Sequence, residues 1–378
     1  MTPRQRYVAT LLFEKPDRIP LHPGAGRKST RARWHQEGLP AEISHPEAIN
    51  EYAYRQAGGT LPWPKEGEGF PLVHQMIPMF EEKVIEKKGD TQIVQDWKGN
   101  VCEISAEFGV EYLRSAIDFV TRRWIKCPVE NWKDWEEMKR RYDPDDPSRL
   151  PPDAAERGKR LKGRDWPIGI NIHGPFWQLR EWMGFEQLCT ALYDEPELVA
   201  DMLQFWQDYV ARLLENALRH VDYDWVHFSE DMAYKQFSMI SPKMVRERLL
   251  PSYLCWGEIL RKHKVPIYDI DSDGFIGELI PIWIEAGVNV CDPVEVAALN
   301  DINAFRRRFG RKMGYRGGVD KRAMAKGGDV IVEEIARIRP VIRDGGFIPG
   351  CDHGVPSDIS WPDYVRYVGL LAKETGWL

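Results

Sequence analysis

No two of the six cysteines in this 378-residue chain stand in CxxC spacing. Cys102, Cys127, Cys189, Cys255, Cys291 and Cys351 are scattered, which fits a reduced, cytoplasmic protein with one functional thiol better than a disulfide framework. No apolar run approaches the roughly 18 residues of a membrane span, so no membrane partner is expected. The opening Met-Thr-Pro-Arg-Gln-Arg is charged and helix-like with no apolar stretch behind it, so a secretory signal is not expected. Positive charge is not in excess: the net charge is −6, which disfavours a nucleic-acid binder that works by neutralising phosphates. Neither an internal repeat nor a low-complexity tract is visible. What remains is an ordinary globular composition, 43% hydrophobic and 29% charged, with length for one large core or two smaller ones. Fifteen tryptophans are many, and they suit core and interface packing or an aromatic-lined pocket.

The chain is read as a single unit, 1–378, with two textures. Residues 1–160 are irregular. A short amphipathic helix covers Arg4 to Phe13, and a first strand covers Arg18–Leu21 before the turn His22–Gly26. Short strand-like runs at 84–86, 92–96 and 101–104, separated by Lys88–Gly89–Asp90 and Trp97–Asn100, predict a small antiparallel meander. A helix is expected over Trp132–Tyr142, then a Pro- and Asp-rich loop. From 161 to 378 the texture is regular. Strands are expected at 168–172, 225–228, 266–270, 288–291, 312–315 and 347–348. Helices are expected at 186–193, 196–221, 242–262, 275–286, 302–309, 329–343 and 361–375. The strands are short, apolar and non-alternating, as buried parallel strands are. Six strand–helix units plus the early strand approach a (β/α)8 TIM barrel carrying an N-terminal extension with a meander. A doubly wound open sheet is the alternative, weakened because no GxGxxG follows the first strand.

Chemistry in such folds sits past the carboxyl ends of the strands. There the sequence places His173–Gly174–Pro175–Phe176–Trp177, Ser229–Glu230–Asp231 with Tyr234 and Lys235 behind it, Asp271–Ser272–Asp273–Gly274, Asp292–Pro293–Val294–Glu295, Arg316–Gly317–Gly318 with Lys321, and Gly350–Cys351–Asp352–His353. Asp, Ser and Gly after a strand also serve as helix caps and turns. Capping does not call for Glu230, Cys351 or His353. The metal candidates are Glu230, Asp271, Asp273 and Cys351, with His353 beside them, since zinc accepts Cys, His and carboxylate. Cys351 has a second reading as a small buried hydrophobe, and His353 as a loop histidine bonded to backbone. Tyr234, His173 and His353 are candidate proton donors. Arg27, Lys235, Arg316 and Trp177 are candidates for substrate binding, with solvated surface as the other reading for the cations.

Several segments together carry a resemblance: RIPLHPGAGR, WIKCPVENWKDWEEMKRRYDPDDPSRLP, FSEDMAYK with ISPKMVRERLLPSY, DIDSDG with IPIWIEAGVNVCDPVEV, and GGFIPGCDHGVPSDISWPDYVRYV. The chain resembles the uroporphyrinogen decarboxylase superfamily from about residue 3 to residue 375. The resemblance implies a (β/α)8 barrel and one of two chemistries. The decarboxylase branch has an Arg-rich segment after the first strand, matched here only by Gly24–Ala25–Gly26–Arg27, and an aspartate segment that 61–78 lacks. The methyltransferase branch binds zinc through a His-x-Cys-Gly segment and a later Cys. Here Asp271 stands for the His, Asp273 for the Cys, and Cys351 at the later Cys. Two oxygen donors make a harder site, for zinc or another divalent metal.

The resemblance therefore implies a metal-dependent methyltransferase acting on a small methylated, methoxylated substrate, with cobalamin carried by a separate corrinoid protein that docks over the strand ends. A uroporphyrinogen decarboxylase-like carboxy-lyase is the alternative, and a non-catalytic binding protein on a degraded barrel is a third reading. The tryptophans and the meander also suit a homodimer interface.

Overall fold

The computed structural model describes residues 1–65, 67–115, 118 and 120–378. Its first sheet is antiparallel, with β1 (Lys83–Lys88), β2 (Thr91–Gln95), β3 (Val101–Ser105) and β4 (Arg122–Lys126) in chain order. The turns fall where expected, and Gly89 and Gly99 take the positive φ that tight turns require. The inner strands turn Val94, Cys102 and Ile104 onto Leu113. The fourth strand is a correction to the three-strand reading. Arg-Arg-Trp-Ile-Lys looks too charged for a strand, yet it is an exposed edge, where Lys and Arg discourage pairing with other chains.

The second sheet has six strands, every neighbouring pair parallel and adjacent in chain order: β5 (Gly169–His173), β6 (Trp225–Ser229), β7 (Ile267–Asp271), β8 (Val290–Asp292), β9 (Gly314–Val319) and β10 (Phe347–Cys351). This is the expected α/β alternation. The connecting helices cover the sheet with apolar stripes. Pro196–Leu218, for example, buries Leu198, Met202, Trp206, Tyr209, Leu213 and Ala217 at helical spacing. Trp34, Trp135, Trp182, Trp206, Trp256 and Trp283 are wholly buried, so these tryptophans are core. All six cysteines are free, and no helix among the described residues is long and apolar enough to cross a membrane.

The expected first strand at 18–21 is not formed. Instead the turn that follows runs along the free edge of β10. Cys351 N–H donates to Pro23 O at 3.2 Å, Val355 N–H to Ala25 O at 3.0 Å, and Gly26 bridges Val355. Residues 1–160 also hold more helix than expected, at Lys28–Gln36, Pro46–Gln56 and Ala154–Leu161. Their polar faces hide the helical period. Pro175–Met183 is a further helix that the sequence reading missed. The expected helix 275–286 is only Ile280–Glu285, because Phe275 N–H donates to Tyr234 O and Ile276 N–H to the Asn300 side chain instead of to a helical turn. Along 242–262, a π-helical stretch at Val245–Leu249 precedes Pro251, whose missing N–H and ring disfavour a regular α-turn there.

Candidate metal centre

Strand parity decides which side chains meet at the carboxyl ends of β6 and β7. Successive side chains alternate between the two faces of a sheet. In the register of β6 with β7, His227 lies beside Asp269 and Ser229 beside Asp271. These four share one face. Asn171 of β5 joins them, with Ser229 Oγ donating to its Oδ1 at 3.1 Å.

The deeper layer on this face is charge-compensated. Arg316 of β9 hydrogen-bonds Asp269, and its Nη2 lies 3.0 Å from Asp292 Oδ2 and 3.2 Å from His227 Nδ1. His227 Nδ1 is 2.9 Å from Asp269 Oδ2. Burial would raise Asp269, but Arg316 and His227 outweigh it and hold the carboxyl below its usual range. His227 runs the other way: burial would lower it, and Asp269 and Asp292 raise it. A guanidinium thus occupies the cation's place among these carboxylates.

In the layer above, no Lys or Arg among the described residues forms an ion pair with the carboxylates; Arg180 and Lys321 act from further off, and His227 Nε2 lies 3.9 Å from Asp271 Oδ2. Asp231, Asp271 and Asp273 each bring one carboxylate oxygen within 4.8 Å of the other two. The backbone is built for this convergence. Asp231 adopts a left-handed φ of 40°. Asp273 N–H donates to Asp231 Oδ1 at 3.2 Å, while Ser272 Oγ accepts from Met232 N–H at 3.0 Å and donates to Asp273 O at 2.9 Å. Gly274 has φ +83°, and a Cβ there would sit 2.3 Å from Ala233 O, so glycine is required.

Crowding raises the carboxyls. Asp271 is pushed well above the usual range, by burial first and then by Asp292, Asp231, Asp273 and Asp269. Asp273 reaches about 7 through burial, Asp231 and Glu295, with Lys321 opposing. Burial is also the main cause for Asp231. His353 Nε2 lies 3.5 Å from Asp273 Oδ2. Its Nδ1 accepts from Gly354 N–H at 2.8 Å, which leaves the neutral ring's proton on Nε2. Burial and Lys321 lower its pKa, so the ring is neutral near pH 7.

The family model for uroporphyrinogen decarboxylase (URO-D) matches residues 110–368. The chain belongs to the uroporphyrinogen decarboxylase family. A comparison with curated proteins gives no match. Among solved structures, a methyltransferase from Methanosarcina mazei is similar, with a TM-score of 0.58 and 13% identity over 99% of each chain. At that identity the likeness establishes the fold. A B12-independent methionine synthase from Shewanella sp. W3-18-1 has a TM-score of 0.41 and 10% identity, over 94% of this chain and 95% of its own.

Of the four residues expected to hold a metal in this family frame, Asp271 and Asp273 lie in the carboxylate cluster and Glu230 and Cys351 do not. Glu230 is one residue past Ser229 and so points to the other face. It is wholly buried, accepts from Trp177 N–H at 2.9 Å and from Tyr253 OH, and caps the helix Pro175–Met183. Gly174 leaves it room, since a Cβ there would lie 2.2 Å from the Glu230 carboxyl carbon. Cys351 is buried against Gly24, and burial, then Asp352, push its thiol up to about 12. The sequence reading passed over Asp231. Its signal was parity: 227, 229 and 231 alternate with 230.

The remaining candidates lie outside the three-carboxylate cluster. His173 stacks edge-on against His74 at 4.6 Å with its Nδ1 3.0 Å from Gln178 Oε1, and burial and Lys98 lower it to about 3. Tyr234 and Lys235 stand exposed on a turn closed by Tyr234 N–H donating to Phe237 O at 2.8 Å. Trp177 is half-buried under the Arg180 guanidinium. Arg27 lies by the His353–Gly354 loop, 3.2 Å from where a Gly354 Cβ would be. Arg316 sits a layer below the carboxyl rim.

The raised carboxyls make stability depend on pH. Burial lifts Glu230 to about 7 from its usual 4.5, although Tyr253 and the Trp177 and Phe176 N–H groups pull it back. A carboxyl raised on folding binds its proton more tightly in the native state, so stability grows as pH falls through that window. The metal-free protein is expected to melt higher at about pH 5.5 than at about pH 8, and Glu230→Gln to flatten the difference. Thermal unfolding in chelator at both pH values checks this.

Proposed function

We propose that the protein is a metal-dependent methyltransferase that moves a methyl group between a small methoxylated compound and a corrinoid protein. The observation that carries this reading is the meeting of Asp231, Asp271 and Asp273 at the carboxyl ends of β6 and β7. The site lies where the family resemblance sets metal ligands. We also propose that the six parallel strands, with 23–26 along β10, belong to an eight-stranded barrel that opens on this site.

The residues fit a divalent cation. Asp231 and Asp273 raise the pKa of Asp271, no Lys or Arg among the described residues ion-pairs with the three, and a bound cation relieves that repulsion. The donors are oxygen, with one imidazole in reach, which favours a hard ion such as Mn2+ or Mg2+ over a thiolate-bound zinc. Bound there, the ion supplies charge stabilisation to an oxygen losing its methyl group. Asp231, Asp271 and Asp273 hold it. His353 holds its N–H at Nε2 on the side of Asp273, placed to donate a hydrogen bond to a departing oxygen that takes its proton from water. The exposed turn of Tyr234 and Lys235 stands at the rim, where a corrinoid protein has to approach.

Incubation of the manganese-loaded protein with cob(I)alamin and a panel of aryl methyl ethers tests the reading. Loss of the cob(I)alamin absorbance is expected, dependent on added metal and abolished in Asp273→Asn. Cob(I)alamin that stays unmethylated with every donor, or methylation unchanged in Asp273→Asn, contradicts it.

A further inference from the structure

Asp231 reaches the carboxylate cluster from a left-handed backbone, and that conformation needs a cause. Residues other than glycine seldom adopt a positive φ, and they keep it where the surroundings over-determine it. The helix Pro175–Met183 supplies much of that hold.

This helix grips the end of β6 at two neighbouring residues. Its first turn donates Trp177 N–H to the Glu230 carboxylate at 2.9 Å. Three residues on, Arg180 Nη1 donates to Asp231 O at 2.8 Å. Arg180 is itself steadied, because its guanidinium lies over the Trp177 ring, 4.5 Å from the centroid. The peptide that joins Asp231 to Met232 is therefore held at both ends, its carbonyl by Arg180 and its N–H by Ser272 Oγ at 3.0 Å. On the other side, Glu230 N–H donates to Asp271 O at 2.9 Å. With the chain fixed before and after it, Asp231 takes its φ of 40° and turns its carboxylate to Asp271 and Asp273.

We propose that Arg180 is a positioning residue of the metal centre: by holding the Asp231 carbonyl, it fixes the left-handed backbone that aims the Asp231 carboxylate at the cation. The proposal rests on Asp231, Asp271 and Asp273 being a cation site. It predicts an effect opposite in sign to that of charge. Arg180 is near enough to act electrostatically on Asp231. A guanidinium there repels a bound cation, so if charge were all, removing Arg180 would tighten binding. Loss of a group that orients a ligand loosens binding instead.

Cobalt(II) titration followed by visible absorption tests the proposal on wild type, Arg180→Met and Arg180→Lys. Arg180→Met is expected to bind cobalt about 10- to 100-fold more weakly, with its visible bands shifted. Arg180→Lys keeps an N–H donor and the charge, and is expected to recover part of the lost affinity. If Arg180→Met does not fold, as read from its circular dichroism, Arg180→Gln takes its place and is expected to bind as weakly. Cobalt bound by the uncharged variant as tightly as by wild type, or more tightly, overturns the proposal. So does an Arg180→Lys that binds no better than the uncharged variant. In both cases wild type still takes up its ion and the cation site stands. No uptake by wild type removes the site and the proposal together.

Discussion

Asp271→Asn is expected to raise the melting temperature of the metal-free protein and to erase its response to divalent cations. Asp271 is the most crowded carboxyl of the site, raised by burial and by four neighbouring aspartates. Removing its charge removes a repulsion that the fold otherwise bears, a gain on the order of 1 kcal/mol, as for other residues kept for function. The same change removes an anionic ligand, so cation affinity is expected to fall by at least about a hundredfold, beyond the usual effect of losing a supporting group. A thermal-shift series with Mn2+ and Mg2+, wild type beside variant, reads both effects. A variant that melts lower, or that is still stabilised by the cations, counts against the site. Simple loss of packing lowers the midpoint, so the direction separates the two explanations.

Arg316→Met is expected to destabilise the protein strongly, by about 3–5 kcal/mol, the cost of stripping one partner from a buried ion pair. Asp269 is wholly buried, and Arg316 is the guanidinium that answers it and Asp292 together. Without it, two carboxylates and His227 face one another, with Asp269 wholly buried. His227 supplies part of the missing charge by holding its proton, so the loss is expected to be larger above neutral pH than below it. Urea unfolding at about pH 6 and about pH 8 measures both the loss and its slope. A loss near zero means that Asp269 and Asp292 find other partners.

The six parallel strands and most of the helices were legible because burial on both faces leaves short apolar runs, and the helices that cover them carry apolar stripes. The run 225–229 and the helix 361–375 were read almost to the residue. Lys28–Gln36 and Pro46–Gln56 were not, because their few buried residues, such as Trp34 and Ile49, do not make a periodic stripe. At the candidate site, composition points to the strand ends that meet but not to every carboxylate of the cluster. Asp271 and Asp273 share a face and lie in the cluster. Glu230 was preferred to Asp231 because glutamate is an unusual turn residue, whereas which of two neighbours faces the site depends on strand parity and on a left-handed φ at 231 that sequence does not announce. Cys351 drew attention by chemistry, but its place on β10 buries it against the edge segment at Gly24. The layer of His227, Asp269, Asp292 and Arg316 was partly invisible, because a charged residue inside an apolar strand shows its partner only after the strands are in register.

Cobalt(II) titration tests the central claim most directly. One ion per chain is expected, with the weak visible bands of oxygen ligation, unchanged in Cys351→Ala and absent in Asp271→Asn. No stoichiometric uptake, or an intense sulfur-to-cobalt band that disappears in Cys351→Ala, contradicts a cation held by Asp231, Asp271 and Asp273.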